Sequence, residues 1–135
     1  MPWKPGCRGI AATEFALVAP VLLLLLLGTF DVANLVQTSI RLERATRAGA
    51  QLAAANSSDM GAIQNKVLAA WPELTLADVP APVLACECAG AALACSSRCD
   101  SGLVQTITVV AQRSLSPYLL RTMSQARGSA IVRLR

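Results

Sequence analysis

The chain has 135 residues, of which 54% are hydrophobic and only 4% aromatic, and its formal net charge is +4. That length accommodates one small domain and one membrane segment. Because there is no histidine and the eight carboxylates are scattered, no cluster for acid–base or metal-assisted catalysis can be named, and the sequence predicts a protein that is not an enzyme and takes no cofactor. The basic residues are also scattered, apart from Arg41, Arg44 and Arg47, and are not interleaved with stacking aromatics, so a nucleic-acid binder is not expected.

The chain begins with a short polar stretch, residues 1–9, that contains Lys4 and Arg8. Its two prolines discourage helix formation. We interpret these nine residues as a leader that precedes the first structured element.

An apolar membrane segment follows. The strictly charge-free run from Phe15 to Phe30 would form about 24 Å of helix, which is short of a hydrocarbon core of about 30 Å. Counting back to Ile10 supplies adequate length. Pro20 lies inside this run, and membrane helices tolerate proline when neighbouring groups satisfy the freed carbonyl. The sequence therefore predicts a transmembrane helix over residues 10–33.

The helix is predicted to continue beyond the membrane as an amphipathic stretch, residues 34–55. Apolar and polar residues recur there at helical spacing on two different faces. The apolar face contains Leu35, Leu42, Ala45, Gly49 and Leu52, and the polar face contains Gln37, Arg41, Arg44, Arg47 and Gln51. Because no proline interrupts residues 21–71, one helix from Ile10 to about Ala55 is favoured over two helices separated by a break.

Residues 56–135 are predicted to form an extracytoplasmic α+β domain. Ser58 is the candidate N-cap of a short second helix, which Pro72 ends. The apolar stripe of this helix consists of Met60, Ile63, Val67 and Trp71. A stripe of this kind is typical of core packing.

Three segments of this domain are predicted as strands: residues 83–88, 103–112 and 130–134. The second is the clearest, since it is rich in β-branched residues and alternates in polarity. Residues 115–123 are amphipathic and ambiguous. The predicted fold class is therefore α+β: a long N-terminal helix with a membrane-spanning half and an amphipathic half, a short second helix, and a small antiparallel sheet with disulfides.

The domain contains a cysteine-rich segment, residues 86–99, with four cysteines in the pattern C-x-C-x6-C-x3-C. In an oxidising compartment four such cysteines form two disulfides, whereas in the cytosol they could hold one zinc ion. The spacing lacks the paired C-x2-C arrangement that is common in zinc sites. Disulfides are therefore favoured, and no metal site is predicted.

The pairing of these cysteines is not determined by the spacing. Cys86 and Cys88 would lie on one face of the predicted strand, about 6.6 Å apart along it, and are not expected to pair with each other. The alternatives are Cys86–Cys99 with Cys88–Cys95, or Cys86–Cys95 with Cys88–Cys99. The first, nested arrangement is the favoured one.

The most distinctive feature is a carboxylate at the N-terminal edge of the apolar run. Gly9 is followed five positions later by Glu14 and then by Phe15. A carboxylate in this position is costly in a bilayer, and neither a secretory signal nor a plain anchor accounts for it. The segment from Arg8 to Leu24 resembles the N-terminus of the TadE-like pilus-assembly proteins, pseudopilins of the tight-adherence (Flp-type) branch of type IV pili. The resemblance consists of the glycine before the helix, Glu-Phe at the fifth and sixth positions after it, and the proline, Pro20, in the span.

The resemblance implies a specific maturation and assembly chemistry. A membrane prepilin peptidase would cut the Gly9–Ile10 bond on the cytoplasmic side. Glu14 would then pair with the terminal amine of a neighbouring subunit, and Phe15 and Pro20 would belong to the same assembly segment. An alternative is that Glu14 only favours the positive end of its own helix.

The family further implies a minor subunit that assists pilus assembly and cell adhesion, with other pilins as partners. The expected location is the bacterial inner membrane, with a cytoplasmic N-terminus and a periplasmic C-terminal domain. The positive charge beyond the membrane does not favour this orientation, whereas the predicted disulfides do. The alternative function is a disulfide-stabilised extracytoplasmic binding domain, tethered by a plain anchor or released by signal peptidase.

Overall fold

The computed structural model describes residues 8–100 and 102–134, with side chains described from Ala12 onward. Most of the expected leader, residues 1–7, lies outside the described residues. The remaining chain forms two helices, a four-stranded sheet and one short 3-10 helix.

The first helix, α1, runs without a break from Arg8 to Ala55. Its 48 residues correspond to about 72 Å of helix. Pro20 lies inside it and deprives the carbonyl of Ala16 of its helical donor, yet the helix continues on both sides. The prediction of one continuous helix is confirmed.

The second helix, α2, spans Met60–Ala70 and buries Ile63 and Val67. Its N-cap is Asp59, so the prediction of Ser58 is wrong by one residue. Oδ1 of Asp59 accepts a hydrogen bond from the Ala62 N–H at 2.8 Å. The hydroxyl of Ser58 instead donates to Asn56 at 2.7 Å, and is therefore engaged in the preceding turn.

The sheet is fully antiparallel and has the order β2-β1-β3-β4. The strands are β1 (Val83–Cys88), β2 (Ala91–Leu93), β3 (Val104–Ser114) and β4 (Gln125–Leu134). The three predicted strands are present, and the last begins five residues earlier than expected. Strand β2 was not predicted. A two-residue turn joins it to β1 with positive φ at Ala89 (51°) and Gly90 (84°), the backbone that tight antiparallel hairpins require.

The outer half of α1 packs against the sheet and α2 to form the core. Small side chains on α1 allow the helix to approach the sheet and α2 closely. The buried apolar residues that these elements contribute to the core are Leu42, Ala45, Ala50 and Ala53 of α1, Ile63 and Val67 of α2, and Ile107, Val109, Ala111 and Ala126 of the sheet. The tightest contact lies at Gly128 of β4, where a Cβ atom would lie 2.6 Å from the backbone carbonyl carbon of Leu42. We call α1 the stalk, and residues 56–100 and 102–134, which pack on its outer half, the head. The α+β fold class is confirmed.

The inner half of α1 has a different character. Every large apolar side chain from Phe15 to Phe30 is exposed. These side chains lie on α1, the one helix among the described residues that is long and apolar enough to cross a membrane. Nothing in the head covers most of this surface.

Candidate assembly and anchoring site

The N-terminal motif occupies the start of α1. The backbone of Gly9 and Ile10 is helical, and Glu14 follows on an exposed position of the same helix. Phe15 is 68% exposed, and Pro20 lies in the next turns. The structure thus places the predicted assembly residues on one uninterrupted helix that projects from the head.

Glu14 has no cation beside it within the part of the chain that the structure describes. The first turn of α1 contains no acidic residue, and Glu14 is the seventh residue counted from Arg8. The attraction of the helix dipole for an anion falls off within the first turn. The positive end of its own helix is therefore a weak partner for Glu14.

A second carboxylate, Asp31, lies at the opposite end of the apolar run, and sequence reasoning missed its role. Its side chain is only 5% exposed. Oδ1 accepts a hydrogen bond from the N–H of Tyr118 at 2.8 Å. Oδ2 accepts one from Leu119 at 2.7 Å and one from Leu120 at 3.0 Å. Three consecutive backbone donors of the head therefore converge on one side chain of the helix.

The segment bound by Asp31 also packs on the helix through its side chains. The rings of Phe30 and Tyr118 lie 5.8 Å apart, centroid to centroid, and are tilted by 57°. Leu119 approaches the helix at Gly28, where its Cδ2 would lie 3.9 Å from a Cβ atom. The only local signal of this site is that Asp31 ends the charge-free run. Its partners are 87 to 89 residues away, so no spacing rule connects them.

The four head cysteines form two disulfides, Cys86–Cys95 and Cys88–Cys99. Their Cα atoms lie 5.2 Å and 5.8 Å apart, respectively. The nested pairing favoured by the sequence analysis is therefore wrong, and the other alternative is correct. The zinc interpretation loses its ligands, since both thiol pairs are oxidised.

The hairpin between β1 and β2 explains the pairing. Cys88 lies beside the turn, opposite Ala91, and Cys86 lies opposite Leu93. Strand β2 leads away from the turn, so Cys95 arrives beyond Leu93 and next to Cys86. The chain must then return before Cys99 can reach Cys88. The nested arrangement is incompatible with this hairpin, because it would pair Cys88 with Cys95, which lies beside Cys86.

Arg41, one of the three clustered arginines of α1, contacts the head. Trp71 lies beneath two guanidinium groups, with Cζ of Arg113 at 5.0 Å and Cζ of Arg41 at 5.9 Å from the ring centroid. Arg113 also forms an ion pair with Glu73 at 3.3 Å. These contacts connect α1, the end of α2 and β3. Across residues 8–100 and 102–134, no group of histidine, cysteine, aspartate or glutamate side chains is arranged to hold a metal ion.

Comparison with known proteins identifies the helical part of the chain. Residues 9–51 match the family described as TadE-like protein. Neither a curated protein nor a solved structure matches the chain. The matched residues begin at the glycine of the N-terminal motif, include Glu14, Phe15 and Pro20, and end near the last turn of α1. The stalk helix of this protein therefore contains the segment that matches the TadE-like family, as the glycine–glutamate motif predicts.

Proposed function

We propose that this protein is a minor, pseudopilin-like, non-enzymatic subunit that assists assembly of a tight-adherence (Flp-type) pilus. The observation that carries the proposal is the TadE-like match of residues 9–51, which falls on a single helix with an exposed apolar half. This helix and the disulfide-bonded head fit a membrane-anchored, pilus-associated protein. The family is generally non-enzymatic.

The proposed maturation step is cleavage of the Gly9–Ile10 bond by a prepilin peptidase. Glycine suits the acceptor position because the enzyme can approach its backbone closely. Cleavage removes Lys4 and Arg8 and gives Ile10 a free ammonium group. The new cation would stand at the start of α1, four residues before Glu14.

The proposed partner of Glu14 is the terminal ammonium of a neighbouring pilin or pseudopilin. Glu14 is exposed, and within the described residues no cation neutralises it. At 4 Å and an effective dielectric constant of 20, such a pair attracts by about 4 kcal/mol, although desolvation of both charges offsets much of this. The main consequence is register, because a subunit that docks out of step leaves a carboxylate unpaired in the apolar layer.

The proposed orientation places the N-terminus in the cytoplasm and the head in the periplasm of a bacterial inner-membrane protein. Two disulfides in the head are compatible with an oxidising compartment and uncommon in a reducing one. The partners in this scheme are the membrane, the peptidase and the other pilus components.

The direct test is the N-terminal residue of the mature protein extracted from membranes, read by mass spectrometry. A mature chain that starts at Ile10 supports the proposal, and Gly9→Val should block the processing. A start near residue 30 would indicate release by signal peptidase, and an intact Met1 would refute processing.

The role of Glu14 is tested separately in cells that assemble the pilus. Glu14→Gln removes the charge at nearly constant size, and should leave membrane insertion intact while reducing piliation. The matched control is Glu87→Gln, since Glu87 is an exposed glutamate of the head. Unchanged piliation in the Glu14 variant would rule out the pairing role.

A further inference from the structure

An exposed apolar turn of the head lies beside the end of the membrane helix. Tyr118 is 72% exposed and Leu119 is 42% exposed, although both backbones are held against α1. The next residue, Leu120, lines an open apolar groove with helix residues on the same side of the stalk. The helix residues of the groove are Leu24, Leu25, Gly28, Thr29, Val32 and Ala33. The apolar surface of the anchor thus continues onto the head along this groove.

The position of this turn along the helix places it at a bilayer boundary. From Ile10 to Phe30 the helix rises about 31 Å, close to the hydrocarbon thickness of about 30 Å. When Ile10 lies at one boundary, Asp31 lies at the other. Because Tyr118, Leu119 and Leu120 donate to Asp31, they lie at the same level.

The hydrogen bonds to Asp31 also allow an irregular backbone to lie at the bilayer boundary. A loop near hydrocarbon is costly when its N–H groups lack acceptors. Here the N–H groups of Tyr118, Leu119 and Leu120 all donate to one carboxylate. Their side chains are therefore free to face lipid without loss of backbone hydrogen bonding.

The chemistry of the turn matches the headgroup region. Tyrosine is enriched at membrane interfaces, where its ring is partly buried and its hydroxyl stays wet. Leu119 extends the apolar contact, and two residues later the exposed Arg121 has a guanidinium group suited to a phosphate. Aromatic, apolar and cationic groups thus occur in this order within four residues.

We propose that the turn from Tyr118 to Arg121 is a second membrane contact, which lies in the headgroup region of the lipid bilayer beside the point where α1 leaves it. The proposal rests on the membrane-anchor part of the proposed function. With two points of attachment, the helix and the turn, the head is held at one height and rotation above the membrane. Asp31 is the positioning residue that joins the two points.

The test measures depth with nitroxide spin labels on the full chain in vesicles of phosphatidylcholine and phosphatidylglycerol. Labels are attached to cysteines introduced singly at Leu25, Leu119 and Ile131 in a Cys7→Ser background. Ile131 is the matched control because it is an apolar head residue with 70% exposure, greater than that of Leu119. It lies beside Arg47 and Ala50, about 24 Å or more beyond Asp31 along the stalk.

For each label we compare its collision rate with oxygen to its collision rate with a nickel chelate. The expected ratio of oxygen to nickel is several-fold higher for the label at position 119 than for the label at position 131. Position 25 should give the highest ratio. If position 119 resembles 131 while 25 remains lipid-exposed, the membrane contact of the turn is refuted and the anchor stands. If 25 also resembles 131, the anchor itself fails, and the proposed function fails with it.

One further outcome and a second label position keep the test decisive. Protection of position 119 from both reagents would mean that another protein chain covers the turn, which also overturns the proposal. A label at position 118 repeats the measurement in case the label at 119 disturbs the turn, and the two positions should agree.

Discussion

The two halves of α1 are built for different partners, although one backbone runs through both. The inner half, from Phe15 to Phe30, has large apolar side chains that are mostly exposed. The outer half, from Leu42 to Ala53, has mainly small side chains buried beneath the sheet and α2. The outer half is therefore stabilised within the chain, whereas the described residues leave most of the inner half uncovered. Changes in the head should alter folding, and changes in the inner half should alter insertion and assembly.

The largest expected effect on the head comes from its disulfides, and it also tests their pairing. Replacing Cys86 and Cys95 by serine removes one bridge that closes a separation of 9 residues, and should lower the free energy of unfolding by about 2.5 kcal/mol. Replacing Cys86 and Cys99 instead breaks both bridges and should lower it by about 5 kcal/mol. The measurement is urea unfolding of the detergent-solubilised chain.

Thiol titration in a Cys7→Ser background supplies the control. The matched double variant should have no free thiol, whereas the mismatched one should have two. The reverse pattern would restore the nested pairing. In both variants the inner half of α1 should still insert, because neither bridge contacts it.

The next effect concerns the closest approach between stalk and sheet. Gly128→Ala adds a Cβ atom 2.6 Å from the backbone of Leu42, so strand and helix must move apart, at a loss of about 3 kcal/mol in the free energy of unfolding. The matched control is Gly61→Ala in α2, where the Cβ atom meets only an Asp59 oxygen at 3.4 Å. That exchange should raise helix stability by up to about 1 kcal/mol. Equal stabilities for the two variants, measured by urea unfolding, would contradict the packing of β4 on α1.

The third prediction addresses the border between the two halves. Asp31→Ala deprives three backbone N–H groups of their acceptor and should release the turn from the helix. We expect amide hydrogen exchange at positions 118, 119 and 120 to accelerate, while Val109 in the core strand keeps its protection. Asp31→Asn retains one acceptor oxygen and should give an intermediate result.

Two outcomes would count against this role of Asp31. Unchanged exchange at all three amides would mean that other contacts hold the turn in place. Equal acceleration throughout β3 would mean that Asp31 supports the whole head and is not specific to the border.

The long helix could be predicted from the sequence because its signals are local. Apolar periodicity, a charge-free run and the lack of proline between 21 and 71 all lie within the segment that they describe. The same holds for β3, whose β-branched residues alternate with polar ones. Strand β2 escaped prediction because it has only three residues, Ala91–Leu93, and because Ala89, which rarely adopts positive φ, occupies its turn.

The contacts that depend on three-dimensional closure could not be predicted. The disulfide pairing follows from the direction of β2, and the spacing of the cysteines contains no trace of it. The partners of Asp31 lie in a segment whose secondary structure is ambiguous from the sequence. They donate through backbone N–H groups, which almost any residue type could supply. Glu14, in contrast, is conspicuous without any structure, because it is a carboxylate at the edge of an apolar run, and its role in assembly stays a prediction.

The smallest expected effect is the acid sensitivity of the head at Asp78. Thr75 donates two hydrogen bonds to Oδ2 of Asp78, one from its backbone N–H at 2.9 Å and one from its hydroxyl at 2.8 Å. These bonds, the backbone one first, lower the pKa of the Asp78 carboxyl below its ordinary value. Nearby Arg113 acts in the same direction, and partial burial opposes it. Since the folded pKa lies below the unfolded pKa of about 3.9, the stabilisation is fully present above the unfolded value and is lost as the pH falls through the folded value. Urea unfolding from pH 6 to pH 2.5 should therefore show a loss of stability that Asp78→Asn reduces, because an amide does not titrate. The variant should be less stable than the parent at pH 6, and the difference between them should shrink as the pH falls toward 2.5. A constant difference at every pH would show that Asp78 acts through its shape and hydrogen-bond geometry alone, without a contribution from its charge.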